Sequence, residues 1–358
     1  MGINTFSGSH KEIGIQYGKA LKEKISDNVN NIILHPRIKP YFTERYKERV
    51  RKQVKMLSDN WSWLLEEMEG VSIGAGVEYE DIVYLNYRGW YGSGSGYNIF
   101  SEVEPEPDTS CSQMVVTLVD GSLAHTAALD DLASMYCGPI KIVPDEGYRL
   151  ITFPFSGTSI GDDGMNSEGL SVSISSQSAG DMGMDIYDSL LSQDIAIRII
   201  LQTCKTSDDV RNFCKEHYFV YNLTSIDANG DIFCAHQTYF GPHEIPVHDG
   251  CVSLTNHIYD DGLIYKYSKR GIHNVTDHET SRRRNGRLVE FLKENNKKRT
   301  LEQVMDFFAE PDANDPGRTN HVGTAYITMA NPQKNRNMYY IMEPENKGKN
   351  TGYIGYEV

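Results

Sequence analysis

Residues 110–130 read SCSQMVVTLVDGSLAHTAALD. MVVTL and SLAHTAAL are runs of the type that strands are made from, and Val119-Asp120-Gly121 between them offers the positive φ values of a tight turn, so the segment is expected to form a β-hairpin. Upstream the pattern is different. From Thr43 to Glu69, apolar residues recur at Tyr46, Val50, Val54, Leu57, Trp61, Leu64 and Met68, steps of three and four that predict one helix about 40 Å long. A second helix is expected over roughly Ser9 to Ile32, striped by Ile13, Tyr17, Leu21 and Ile25, and a short third one after Val77. Between the helical and β-rich parts stand GWYGSGSGYNIF and SEVEPEPDTS, residues 89–110, which read as a linker. The GSGSG run is no phosphate cradle, because no strand precedes it and no Lys-Ser/Thr pair closes it.

Beyond the hairpin, strands are expected at Arg149–Pro154, Leu170–Ser175, Leu223–Asp227, Ile232–His236, Cys251–Thr255, Thr324–Met329 and Asn337–Met342. Helices are expected near Ser189–Cys204, Asp208–His217, Thr280–Glu294 and Leu301–Glu310, the last opened by a Thr300/Gln303 capping box. Gly164-Met165-Asn166-Ser167-Glu168-Gly169 reads as a turn in which Asn166 and Gly169 supply unusual backbone angles. Strands in pairs and then helices in pairs point to an α+β fold, antiparallel sheets covered by helices.

The charge balance narrows the partners. Lys plus Arg number 35 against 49 Asp plus Glu, a formal charge of −14. Nucleic acid is excluded on that ground and anionic membrane surfaces are disfavoured, the one tight basic cluster being Arg282, Arg283, Arg284 and Arg287. No run approaches 18 apolar residues and the first twenty lack a secretory core, so a cytoplasmic protein is expected. Six cysteines without a Cys-x-x-Cys pair indicate neither a disulfide framework nor a zinc ribbon. The His243/His248 and His273/His278 pairs lack the spacing of a helical metal site, and no metal or other cofactor is expected.

Cys111 stands apart from the other cysteines. Cutting the chain between Ser110 and Cys111 would leave a thiol at a free N-terminus, where the α-amine, with an unperturbed pKa of about 7.7–8.0, can accept the thiol proton. A plain buried cysteine at a strand start is the competing reading. GSHKEIGIQYGKALKEKI, EEMEGVSIGAGVEYEDIVYLNYR, the cysteine at the head of a hairpin, ALDD, GMNSEGLSVSISS, SQDIAIRIILQTC and LTNH follow one another in order. Together they resemble the isopenicillin N acyltransferase (acyl-CoA:6-aminopenicillanic acid acyltransferase) family of N-terminal nucleophile hydrolases.

The resemblance implies a four-layer αββα sandwich made as a precursor that cleaves itself before the nucleophile, giving a helical pro-segment, 1–110, that stays bound to a catalytic chain, 111–358. It makes Cys111 the nucleophile, Asp130 the carboxylate beside it and Asn256 an oxyanion-hole donor. Ser175, Ser176, Thr255 and Arg318 become candidates for substrate binding. Two departures stand out. Bile-salt-hydrolase relatives carry an arginine where this chain has Ala127, and the acyltransferase has glycine where this chain has Ser110. The function expected is acyl transfer or amide hydrolysis on a small acylated or peptide-like substrate. The alternatives are an uncleaved member that binds a small acylated ligand, and a cysteine dipeptidase on the same scaffold.

Overall fold

The hairpin forms as its sequence requires. β2 (Ser112–Thr117) and β3 (Leu123–Asp130) pair antiparallel with Ser112 opposite Ala128 and Thr117 opposite Leu123. Of the turn residues only Gly121 takes a positive φ, 82°. Asp120 contributes through its carboxylate instead, which accepts from the Ser122 N–H (3.0 Å) and hydroxyl (2.6 Å). The computed structural model describes residues 3–36, 39–87, 111–130, 136–159, 161, 163–177, 191–270, 279–294, 299–310, 324–342 and 353–358. The linker at 89–110 lies outside them.

The chain divides into two compact units, Met1–Glu106 with Ser134–Gly161 and Asp181–Thr203, and Pro107–Ala133 with Asp162–Gly180 and Cys204–Val358. In the first, α1 (His10–Ala20) and α4 (Ser62–Ala75) cross at glycines. Gly14 and Gly18 face Gly70 and Gly74 so closely that a Cβ on Gly14 would lie 2.1 Å from the Glu67 carbonyl oxygen, and one on Gly70 2.3 Å from that of Lys11. A buried ionic cluster ties this crossing to α6 (Gln193–Thr203). Glu67 meets His10 Nδ1 at 3.0 Å and the Arg198 guanidinium at 3.1 Å, and Arg198 also lies over the Trp63 ring. Burial alone would raise the Glu67 carboxyl, but Arg198 and then His10 outweigh it and hold it below the usual range.

The helix expected over 43–69 is two. α3 (Glu44–Asn60) stops at Trp61, whose φ of −143° and ψ of 53° leave the helical region, and α4 begins at Ser62. The apolar stripe survives because Leu57, Leu64 and Met68 are buried on both sides of the break. The Ser9–Ile32 helix is likewise divided at Leu21 into α1 and α2 (Lys22–Asn28), with a π turn over Val29–Ile33. The third is α5 (Tyr79–Asn86). β1 (Asn4–Gly8), which the sequence pattern did not reveal, runs parallel to β4 (Ile140–Pro144), and β4 continues antiparallel to β5 (Leu150–Thr152). The β1–β4 pair is thus an exception to the expected antiparallel pairing.

The second unit is a four-layer sandwich. One sheet runs β11-β2-β3-β12-β13-β14, where β11 is Val252–Leu254, β12 Thr324–Ala330, β13 Asn337–Met342 and β14 Ile354–Glu357. Facing it, in order, are β6 (Asp163–Asn166), β7 (Ser171–Ser175), β8 (Tyr221–Ile226), β9 (Ile232–Thr238) and β10 (Gly241–Glu244). α9 (Glu279–Lys293) and α10 (Leu301–Ala309) cover the first sheet, placing Leu288, Phe291, Val304 and Phe308 on Met114, Val116, Ala124 and Ala128. Each large apolar side chain fully buried there contributes about 1.5–3 kcal/mol. α7 (Ser207–Glu216) covers β8, β9 and β10 on the far side, and α8 (Asp261–Ser268) follows β11. The Thr300/Gln303 capping box is present at the start of α10. In the β6–β7 turn Gly169 takes a φ of 83°. Asn166 keeps ordinary backbone angles and works through its side chain, whose oxygen accepts from the Glu168 and Leu170 N–H groups. Among the described residues, no helix is long and apolar enough to cross a membrane.

Candidate active site

Cys111 immediately precedes β2 and is buried, 2% exposed. Its main chain is held from α9. The guanidinium of Arg284, itself fully buried, donates to the Cys111 carbonyl and to the Ser112 hydroxyl (2.8 Å) through one nitrogen, and to Asn256 Oδ1 (2.8 Å) through the other. Because guanidinium only donates, this contact decides which end of the Asn256 amide is oxygen. The amino group then points the other way, where it donates to the carbonyl and the hydroxyl of Ser176, both at 3.0 Å.

The turn carrying Asn256 is fixed by the same helix. Ser281, one helical turn before Arg284, accepts at its hydroxyl from the backbone N–H of Asn256 (2.8 Å) and of His257 (3.0 Å). The Ser281 hydroxyl also bonds Thr255 Oγ1 at 2.8 Å, and Thr255 Oγ1 donates to the Ser281 carbonyl at 3.1 Å. From the opposite sheet, the Asn222 amino group donates to the Thr255 carbonyl at 2.5 Å. The Asn222 oxygen then faces His236 Nδ1 (2.6 Å), which must donate. That imidazole is neutral, since burial pushes its pKa down to about 3.

Ser175 ends β7 fully buried and accepts at its hydroxyl from Gln113 Nε2 at 2.6 Å; the same amino group reaches the Asn222 carbonyl at 3.1 Å. Cys111, Ser175, Ser176, Thr255 and Asn256 therefore belong to one connected set, joined through Gln113, Asn222, Ser281 and Arg284. Asp130 closes β3 opposite Thr324, beside a register shift in β12; its side chain is outside the described part. Ser110 and Arg318 lie outside the described residues as well. Ala127 is buried on β3 opposite Gln113 and Thr328. It shares a strand face with His125, which bonds Ser171 of β7 at 3.0 Å, so the position looks into the space between the sheets. A methyl group stands there, and Arg284 brings a buried cation to the Cys111 main chain from the helical layer.

Gln113, Asn222, Ser281 and Arg284 are the members of the set that sequence reading passed over, and only the last two carried a signal. Their signal was the spacing Ser281, Arg284, Leu288, Phe291, all buried on one stripe of α9. An arginine at a core position of an amphipathic helix is a buried arginine, and a buried arginine has oxygens to hold.

Two facing sheets between helical layers, with a cysteine at the head of the first strand of one of them, form the fold of the N-terminal nucleophile hydrolases. The family model for acyl-coenzyme A:6-aminopenicillanic acid acyl-transferase matches residues 123–346, more than half of the chain, and the chain belongs to that family. It is accordingly an enzyme of the thiol N-terminal nucleophile class, whose chemistry is amide hydrolysis or acyl transfer. The match takes in Asp130, Asn256 and Arg284 and begins after Cys111. Comparison with curated proteins finds no match. Among solved structures the chain is similar to a variant of conjugated bile acid hydrolase from Clostridium perfringens, at 12% identity and a TM-score of 0.47, over 69% of this chain and 92% of that one. It is also similar to the Caenorhabditis elegans ortholog of N-acylethanolamine-hydrolyzing acid amidase, at 15% identity and a TM-score of 0.43, over 62% of this chain and 93% of that one.

Proposed function

We propose that this chain is a self-processing cysteine amidohydrolase or acyltransferase acting on an amide or thioester of a small acylated or peptide-like substrate. The observation that carries the reading is the double grip of Arg284, one nitrogen on the head of the strand that Cys111 opens and the other on Asn256. In maturation the Cys111 thiol attacks the Ser110 carbonyl, the peptide C–N bond breaks, and the acyl group moves to sulfur. Water opens this thioester, leaving a carboxylate on Ser110 and a free α-amine on Cys111. Chains 1–110 and 111–358 result, the helical pro-segment remaining bound to the catalytic chain.

In turnover the α-amine takes the thiol proton and the thiolate attacks the substrate carbonyl. The Asn256 amino group, turned away from Arg284, meets the oxyanion by releasing its contacts with Ser176; one such donor is worth about 3 kcal/mol of barrier. Collapse expels an amine or a thiol, which leaves with a proton, and the acyl-enzyme on Cys111 passes its acyl group to water or to an amine. Asp130 orients the ammonium form of the α-amine, and Ser175, Ser176, Thr255 and Arg318 line the substrate's approach.

Intact-mass measurement of the purified protein, with incubation against N-acyl amino acids, acyl-CoAs and dipeptides, tests the proposal. Two fragments divided at 110/111 and loss of all activity in Cys111→Ala are expected. An unbroken chain whose Cys111→Ala variant keeps full activity would overturn it.

A further inference from the structure

The second unit holds a cavity of about 670 Å³ that shares no lining residue with the Cys111 set. It opens between α9 and the connection from β10 to β11. Ile245, Pro246, Val252, Val289 and Leu292 give it an aliphatic interior. Its polar wall is largely closed on itself: the Ser253 hydroxyl donates to Asn285 Oδ1 at 2.8 Å, and the Tyr259 hydroxyl donates to the Ser253 carbonyl at 3.0 Å. Lys293 also lines the cavity and is exposed, with no carboxylate at ion-pair distance among the described residues. The lining includes one acidic residue, Asp249, which is exposed and held in a left-handed conformation with φ 52°.

We infer that this cavity binds an apolar monocarboxylic acid, its chain among Ile245, Val252, Val289 and Leu292 and its carboxylate at Lys293. The volume lies within the roughly 300–1,000 Å³ of small-ligand sites, and an aliphatic interior with few polar groups is their usual make-up. With Lys293, the His248 imidazole and a single aspartate as its exposed charge-bearing groups, the lining fits a single negative charge and does not fit a nucleotide or an oligophosphate. β11 is the last strand of its sheet, but an added peptide strand is disfavoured, because Tyr259 already occupies the Ser253 carbonyl that such a strand would need.

Calorimetric titration of the intact protein with decanoate, below its micellar concentration, tests the inference without any assay of Cys111. One saturable site is expected, with octanoate about tenfold weaker for its two missing methylenes and decanol weaker than decanoate. Cys251, a half-buried thiol in the lining, serves as the position marker: its labelling by iodoacetamide, mapped by peptide mass spectrometry, should fall as decanoate saturates. Val289→Trp should abolish binding. Lys293→Glu, at an exposed position, should weaken it about fivefold and Asp249→Asn should tighten it about twofold. No saturable binding, undiminished binding in Val289→Trp, equal affinity for decanol, or saturation that leaves Cys251 labelling unchanged would overturn the proposal. Cys111→Ala should bind decanoate as the wild type does, so failure of the catalytic reading leaves this one standing.

Discussion

At Arg284 a single side chain carries three tasks: it anchors the head of β2, orients the Asn256 amide, and brings positive charge into a buried site. The three separate by substitution. Lysine keeps the charge but cannot span two oxygens with a fixed fork, and methionine keeps the volume alone. Arg284→Lys is expected to lower kcat/KM on the best substrate of an N-acyl amino acid panel by about tenfold, and Arg284→Met by about a hundredfold or more, near 3 kcal/mol. If Arg284→Lys were as active as wild type, orientation of Asn256 would not depend on the fork. Sequence reading reached Cys111 through the chemistry of an N-terminal thiol and Asn256 only through resemblance, since an asparagine after a strand is by itself a turn residue. Arg284 escaped because it sits among Arg282, Arg283 and Arg287, where a count of charge hides the one member that is buried.

On the scale of elements, the tightest constraint is the α1–α4 crossing, where glycine is required for close approach of two backbones. Gly14→Ala would place a methyl group 2.1 Å from the Glu67 carbonyl oxygen, and neither helix can give way without disturbing the His10–Glu67–Arg198 cluster. The expected loss is about 3 kcal/mol or more. Gly286 on α9 is the control: a Cβ there meets nothing within 4 Å, so Gly286→Ala should stabilise by about 0.5–1 kcal/mol. Urea unfolding midpoints should move in opposite directions; a Gly14→Ala midpoint unchanged from wild type would mean that the crossing is looser than its geometry. Most strands and helices of the second unit were legible because their periods, turns and caps are local, but β6, whose residues 164–166 read as part of a turn, the short β10 and β14, and the helix over Asp261–Ser268 were not. The breaks at Leu21 and Trp61 were not, since an apolar spacing of four carries across a kink as easily as along a helix. β1 was hidden for another reason: its partner β4 lies far along the chain, and the five residues NTFSG carry no pattern of their own.

For the molecule as a whole, the two sheets of the second unit press polar residues together. SVSIS in β7 alternates like a strand with one wet face, yet all five residues are buried, its serines lying against the opposite sheet, where Ser171 bonds His125 and Ser175 bonds Gln113. Sequence alternation cannot tell a solvated face from a polar layer between sheets. That layer makes stability depend on pH in two opposed ways. Burial lowers His125 and His236 to about 3, whereas in the unfolded chain they titrate near 6.5. Their contribution is complete above pH 6.5 and is lost as pH falls toward 3, because the unfolded state takes up the protons first. Burial raises Asp163 to about 7 against hydrogen bonds from Ser173 and Tyr326. Its unfolded value is near 3.9, so its contribution is complete below that and is lost as pH rises through 7. Asp163→Asn removes the second dependence and leaves the first. Relative to wild type, the variant should gain stability progressively from pH 4.5 to pH 7 and hold a constant advantage from pH 7.5 to 8.5, on the order of a few kcal/mol at about 1.4 kcal/mol per pKa unit. Urea midpoints measured across that range read the difference directly. Parallel curves for the two proteins would mean that Asp163 stays ionised inside the sandwich, and that a cation or a water, not burial, sets its charge.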